Sequence, residues 1–294
     1  MELLFMKYMR SNLKDDYGLL EIQDKILGIM VDIDRFCENN NVEYFLMGGS
    51  ALGAKRHGGF IPWDDDLDIF MTPDNYEKFR KAFQEKVDKS KYYLQEWGLS
   101  DGMVTISKIR LNGTSFIEES LKDWDIHHGI YVDIFILHTC PDGTLAQLRQ
   151  FFWGKYVITK GLALRDTSRH SGIRNLVIKV AKLLPERFLV KYALKQVYKY
   201  RNEKTKYYCN FLGKAVFKKG IYKREWFEKP VYVPFEMVQL KVSSNLHEFL
   251  SERFGDYMKV PSPERIKYEQ HAESWDFEKQ LKFSDEYKDE IMLI

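Results

Sequence analysis

Apolar positions recur at helical spacing in the first well-patterned stretch. Leu19, Ile22, Ile26, Ile29, Met30, Ile33 and Cys37 fall on one face, which predicts an amphipathic helix over 19–37. Asn39, Asn40 and Asn41 end it, and the aromatic and apolar run 42–47 reads as a short strand. That strand runs into Gly48-Gly49-Ser50, where Ser50 is expected to cap a short helix over 51–57 that stops at Gly58-Gly59. After a loop at 60–63, polar Asp66 and Asp68 alternate with apolar Leu67 and Ile69, the period of a strand over 66–71. Thr72-Pro73 then opens a helix through Val87, with proline at its first position. Three more strands are expected at 92–96, 103–111 and 130–137. After Gly143 the pattern turns helical as far as about Tyr208, and short strands (221–227, 231–235) and a helix (245–254) complete the chain.

Strands and helices alternate early and a mostly helical section follows, which predicts an α+β catalytic core with a helical subdomain. The expected division is a core over 1–145, a basic helical subdomain over 146–220, and a C-terminal segment over 221–294 that packs back on the core. With 294 residues, 45% hydrophobic and 15% aromatic, the chain can bury a sizeable core, and its composition matches no disordered, collagen-like or disulfide-rich class. Met1 to Arg10 lacks the apolar core of a secretory signal, and no uncharged run reaches the roughly 18 residues of a membrane span. A cytoplasmic protein is therefore expected. Cys37, Cys140 and Cys209 are far apart in sequence and form neither a zinc knuckle nor a disulfide framework; Cys37, on the apolar stripe, is expected to be a buried thiol.

A net charge of +2 hides an asymmetry. Residues 150–229 hold 20 Lys and Arg against 5 Asp and Glu, a local charge of +15, so the remainder carries −13. The acidic part contains the chemistry, and the basic part suits something anionic.

The string MGGSALGAKRHGGFIPWDDDLDI, residues 47–69, concentrates that chemistry. Side chains two apart on a strand share a face, so Asp66 and Asp68 point together while Leu67 and Ile69 enter the core. Adjacent carboxylates raise each other's pKa unless a cation neutralises them, and a hard divalent ion, Mg²⁺ (with Mn²⁺ as a substitute), fits oxygen ligands. Asp64 and Asp65 precede the strand, where either adds a ligand or orients a metal-bound water. A solvated acidic turn is the bland alternative, but it does not account for Asp68 set among apolar neighbours. Gly48, Gly49 and Ser50, between strand and helix, suit a phosphate cradle. Asp133 in GIYVDIFIL, a lone charge in an apolar run, is the expected third carboxylate, since burying it unpaired is costly, with a structural salt bridge as the alternative. Lys108, Arg56 and Arg110 are candidates for donor phosphates, with ordinary surface cations as the alternative. His57, His127 and His128 match no zinc spacing, and His57 is kept as a candidate for donor binding. Trp63 either fixes the loop that delivers the Asp run or stacks on substrate.

Together, GGSALGAKRHGGFIPWDDDLDI, TPDNYEKF, SKIR around Lys108, GIYVDIF around Asp133 and the late VPFE and FGDYMKVP resemble the LicD family of phosphotransferases, related to fukutin-type enzymes. The resemblance covers most of the chain, least clearly 149–229. It implies a nucleotidyltransferase-like mixed β-sheet core flanked by helices, metal-binding Asp66 and Asp68, and a later strand carboxylate at Asp133. It further implies transfer of phosphocholine from CDP-choline, or of another polyol phosphate from a CDP donor, to a hydroxyl of a surface glycan or teichoic acid precursor, one assembled on lipid in some cases. Nucleotidyl transfer with pyrophosphate release is the rival within the fold. A basic nucleic-acid-binding protein is the rival outside it, disfavoured because no nucleic-acid module is visible and the aspartates would go unexplained. A basic helix over 175–200, with Lys179, Lys182, Arg187, Lys191, Lys195 and Lys199, is a candidate for peripheral contact with an anionic membrane at the inner face or for contact with the acceptor's phosphates, with a solvated lysine-rich face as the alternative.

Overall fold

The structure, a computed structural model, describes residues 18–96, 105–165, 186–262 and 271–284. Its elements are α1 (Leu19–Asn39), β1 (Phe45–Leu46), α2 (Gly48–His57), β2 (Asp68–Met71), α3 (Pro73–Lys86), β3 (Tyr92–Gln95), β4 (Ser107–Leu111), β5 (Ser115–Glu118), β6 (Tyr131–Ile136) and β7 (His138–Cys140). There follow α4 (Thr144–Arg165), α5 (Glu186–Tyr198), β8 (Tyr207–Cys209), β9 (Ile221–Lys223), β10 (Pro230–Phe235), β11 (Val238–Ser243), α6 (Leu246–Phe254) and β12 (Ala272–Asp276).

The central sheet has the order β1-β2-β6-β4-β3. β2 and β6 are parallel, and the other pairings are antiparallel. This is the mixed sheet with flanking helices that the resemblance implies. Period-two alternation gives the sheet two distinct faces. Ile69, Ile109, Val132 and Ile134 fill one of them and are wholly buried. Helices α1 and α3 cover that face: the Tyr92 hydroxyl donates to Asp32 on α1 (2.7 Å), and the hydroxyls of Tyr76 on α3 and Ser107 on β4 pair at 2.6 Å. Phe36 of α1 meets Phe79 and Phe83 of α3 edge-on. Thr72 caps α3 by accepting from the Asn75 N–H, with Pro73 at the first position, as the sequence indicates.

The opposite face carries Asp68 and Phe70 on β2. Phe70 lies against Phe135 and against Tyr222, Phe227 and Phe249 of the C-terminal part, all at 6.1–6.5 Å between ring centroids. One apolar cluster thus runs from Ile22 to Tyr257. Burying this many aromatic side chains, each worth several kcal/mol if truncated, holds 221–257 on the sheet.

Several local expectations change. The strand expected at 42–47 shrinks to Phe45–Leu46, and the strand expected from Asp66 begins at Asp68. α2 starts at Gly48 rather than Ala51, with Met47 as its cap and no side-chain cap bond, so Ser50 is not the cap. The helical run expected to Tyr208 gives way to β8, which pairs with β7 and β9 in a three-stranded sheet. The strand expected at 221–227 ends at Lys223 and continues as a 3₁₀ turn, Arg224–Phe227. β5, β7, β11 and β12 had no counterpart in the pattern, because three- to six-residue strands give too few positions for a period. Residues 166–185, with Lys179 and Lys182 of the basic helix, lie outside the described residues. All three cysteines are buried free thiols, and burial pushes the Cys37 thiol pKa up.

His138 generates a prediction about stability. It is buried on β7, edge-on to Tyr198 (4.6 Å), and neither ring nitrogen has a hydrogen-bond partner among the described residues. Burial lowers its pKa from 6.5 to about 3. The unfolded chain therefore takes up this proton below pH 6.5 while the folded chain refuses it, so stability falls as pH drops from 6.5 towards 3. Between pH 7 and pH 5 this residue removes about 2 kcal/mol. Urea denaturation at both pH values should show wild type losing that much more than His138→Phe.

Candidate functional site

Strand register assembles the site. Asp68 on β2 is the parallel partner of Asp133 on β6, and Asp133 is in turn the antiparallel partner of Lys108 on β4. Directly paired residues project from the same face, so the three side chains form one row across the sheet. The ladder extends one residue before β2, where the Asp133 N–H donates to the Leu67 carbonyl (2.9 Å). Asp66, two residues before Asp68, therefore reaches the same face.

The Lys108 ammonium touches Asp133 Oδ1 at 2.9 Å and Oδ2 at 3.2 Å, and Glu118 Oε2 at 3.4 Å. It sits 3.3 Å from the centroid of the Tyr131 ring and is 2% exposed. A cation this deep needs such company. Glu118, the last residue of β5, comes from a strand the sequence did not reveal. Burial opposes its ionisation, but the charges of Lys108 and Arg110 prevail and hold its pKa below the usual range. Burial raises the Asp133 pKa to about 6; Lys108 pulls it down, while Glu118 and Asp66 add to the rise. Burial and then the charges of Asp66 and Asp133 push Asp68 well above a normal carboxyl. The charge of Asp66 thus opposes the ionisation of both Asp68 and Asp133, with Lys108 attached to one end of the row.

Helix α2 points its N-terminus at this row. Gly48 has φ +55°, and a Cβ there would lie 3.4 Å from Asp68 Oδ2, while one on Gly49 would come within 2.8 Å of Asp64 Oδ2. The missing side chains allow the first turn, with its N–H groups and positive dipole end, to approach carboxylates or anions. Ser50 is buried, and its Oγ accepts the Asp68 N–H (2.8 Å), which ties α2 to β2.

The loop 58–67 is clamped from three distant places. Gln23, wholly buried on α1, donates to the carbonyls of Asp64 (2.8 Å) and Ile61 (3.4 Å). Glu236, at the β10–β11 turn, accepts the Phe60 N–H through Oε1 (3.0 Å) and donates its own N–H to the Gly58 carbonyl (2.7 Å). Asp65 receives the N–H groups of His271 and Ala272 (2.9–3.0 Å) and faces His271 Nδ1 at 2.8 Å. Burial alone would lower the His271 pKa, but the hydrogen bond to Asp65 and the charges of Asp66 and Asp65 raise it to about 9. These contacts hold 271–276 in place, so that β12 pairs with β5, where Ala272 lies opposite Glu118. Gln23, Glu118, Glu236 and His271 escaped sequence reasoning; Glu118 and Glu236 occur as ordinary acids, and His271 is 206 residues from Asp65.

The remaining sequence candidates occupy other positions. Arg56 is buried, donating to the Tyr257 carbonyl (3.1 Å) and to His57 Nε2 (2.9 Å). Burial, and then the Arg56 charge, lower the His57 pKa to about 4. Trp63 is buried with its ring edge-on to His57, so it anchors the loop. Arg110 is held by Gln95 Oε1 and the Gly129 carbonyl.

Asp66, Asp68 and Asp133 offer only oxygen donors, the type a hard divalent cation takes. Among the described residues, the three whose ligand atoms lie within 4.8 Å of one another are Asp64, Asp65 and His271. In this structure that trio acts as a clamp, both oxygens of Asp65 accepting N–H donors, just as both oxygens of Asp133 contact the Lys108 ammonium.

Residues 41–139 match the family model described as LicD/FKTN/FKRP, nucleotidyltransferase domain. That span holds β2, β4, β5, β6 and α2, so the row lies inside it. The chain is 29% identical over 267 residues to the lipopolysaccharide cholinephosphotransferase LicD of Haemophilus influenzae, covering 85% of this chain and 94% of that one. A 32-residue stretch is 59% identical to the human ribitol 5-phosphate transferase FKRP, covering 11% of this chain and 6% of that one.

The clamp makes a prediction. Asp65→Ala should cost about 2–4 kcal/mol, because it strips half-buried N–H donors and the His271 ring of a buried acceptor. Hydrogen exchange should speed up at the amides of His271 and Ala272 before it does in β6.

Proposed function

We propose that this LicD-family transferase moves a phospho-group, phosphocholine from CDP-choline, onto a hydroxyl of a cell-surface glycan or teichoic acid precursor. The observation that carries the reading is the Asp68–Asp133 row, completed by Asp66, set against the N-terminal turn of α2. The similarity to a cholinephosphotransferase over nearly all of that protein's length supports the head group.

In this reading Asp66 and Asp68, with Asp133, hold Mg²⁺ (or Mn²⁺). A cation there supplies charge neutralisation for the donor's pyrophosphate. Gly48 and Gly49 offer backbone N–H groups to phosphate oxygens. Lys108 and Glu118 fix the orientation of Asp133, which accepts the proton of the acceptor hydroxyl. The acceptor oxygen attacks the choline-bearing phosphorus, the P–O bond to the bridging oxygen breaks, and CMP leaves with that electron pair. Positioning and electrostatics do most of this work.

The stretch shared with the ribitol 5-phosphate transferase favours one second reading, transfer of a glycerol- or ribitol-phosphate from its CDP donor through the same residues. Incubating the protein with Mg²⁺ and CDP-choline, CDP-glycerol or CDP-ribitol, with and without glycan acceptor, separates the readings by the donor that yields CMP. Pyrophosphate in place of CMP would contradict both. Asp68→Asn should remain folded by circular dichroism and lose about 10³-fold or more in turnover; near-normal turnover would overturn the assignment.

A further inference from the structure

Helices α4 and α5 build a surface that the transfer chemistry does not use. They lie antiparallel: Gln150 Nε2 donates to the Val197 carbonyl (2.7 Å), and Trp153 meets the Tyr192 ring at 5.0 Å. On the outer side of α4, Leu145, Leu148 and Phe152 stand at helical spacing, with Leu145 83% and Phe152 62% exposed. On the outer side of α5, Phe188, at 75%, and Tyr192 stand one turn apart. Lys191, Lys195 and Lys199 are exposed on the same stripe of α5 and its continuation. α4 contains no acidic residue and α5 only Glu186.

Large apolar side chains turned to solvent along two adjacent helices mark a contact surface. The lysines decide what it contacts. A second copy would bring like charges face to face, and a nucleic acid backbone would leave Leu145, Leu148 and Phe152 without a partner. An anionic bilayer satisfies both features, with headgroups for the lysines and acyl chains for the apolar stripe. Among the described residues no helix is long and apolar enough to cross a membrane, so the geometry is one of lying on the surface. We propose that the outer face of α4 and α5 binds the surface of an anionic lipid bilayer peripherally.

The test is flotation of the full chain with vesicles of phosphatidylcholine alone and of phosphatidylcholine with phosphatidylglycerol, at low and high salt. Wild type should float with the anionic vesicles only, and less at high salt. Removing charge should cost roughly fivefold in partitioning per lysine, so K191E/K195E/K199E should bind at least about a hundredfold more weakly. Phe152→Ser with Phe188→Ser should also release the protein, while CMP release with a soluble acceptor stays at the wild-type rate. That readout keeps failure of this inference distinct from failure of the transfer reading. Equal flotation with both vesicle types, or wild-type flotation of either variant, would overturn it. So would a dimer in sedimentation velocity that the phenylalanine variant dissociates, if wild type does not float.

Discussion

Four carboxyl groups, those of Asp66, Asp68, Asp133 and Glu118, share one largely buried space with a single fully enclosed ammonium, that of Lys108. Left to itself such an arrangement is unfavourable, because desolvation and mutual repulsion both work against the charged forms. It persists because the strands that carry it are fixed by the apolar face beneath. Ile69, Ile109 and Ile134 sit next to Asp68, Lys108 and Asp133 in sequence and point the other way. The hydrophobic side of each strand thereby sets the position of its charged side. A one-residue slip between β2 and β6 would move Asp68 out of the row and send Ile69 to the polar face.

The surrounding elements serve that row from distant parts of the chain. Gln23, Glu236 and Asp65 with His271 hold one loop, and each binds backbone atoms that must stay put if Asp64 and Asp66 are to keep their places. Gly53 shows the tightness of this packing, since a Cβ there would meet the Gly59 carbonyl oxygen at 2.4 Å. The C-terminal part therefore has two tasks. Its aromatic residues cover the Phe70 side of the sheet, and its last described strand carries the partner of β5, on which Glu118 stands.

Those parts of the site with a local signature were legible in the sequence. Asp66 and Asp68 stand two apart among apolar residues, Asp133 is alone in an apolar run, and Gly48-Gly49 follows a strand. Each can be read within a few residues. Register cannot, so the direct pairing of Asp68 with Asp133 and of Asp133 with Lys108 appeared only in three dimensions. Lys108 was read as a candidate for donor phosphate or an ordinary surface cation; in the structure it is buried, with its ammonium against Asp133 and Glu118. Ser50 was expected to cap a helix, but α2 starts two residues before it, at a glycine with positive φ, and the hydroxyl binds β2. Arg56 was read as a surface cation or a phosphate ligand, and burial against Tyr257 was not foreseeable from its neighbours in sequence.

The account centres on where a divalent ion would bind. Diffraction from crystals soaked in Mn²⁺, with data collected at an energy where manganese scatters anomalously, locates the ion directly. The account predicts an anomalous peak bounded by the carboxylates of Asp66, Asp68 and Asp133, facing the first turn of α2. A peak between Asp64, Asp65 and His271 instead, or none at all in crystals of active protein, would contradict it.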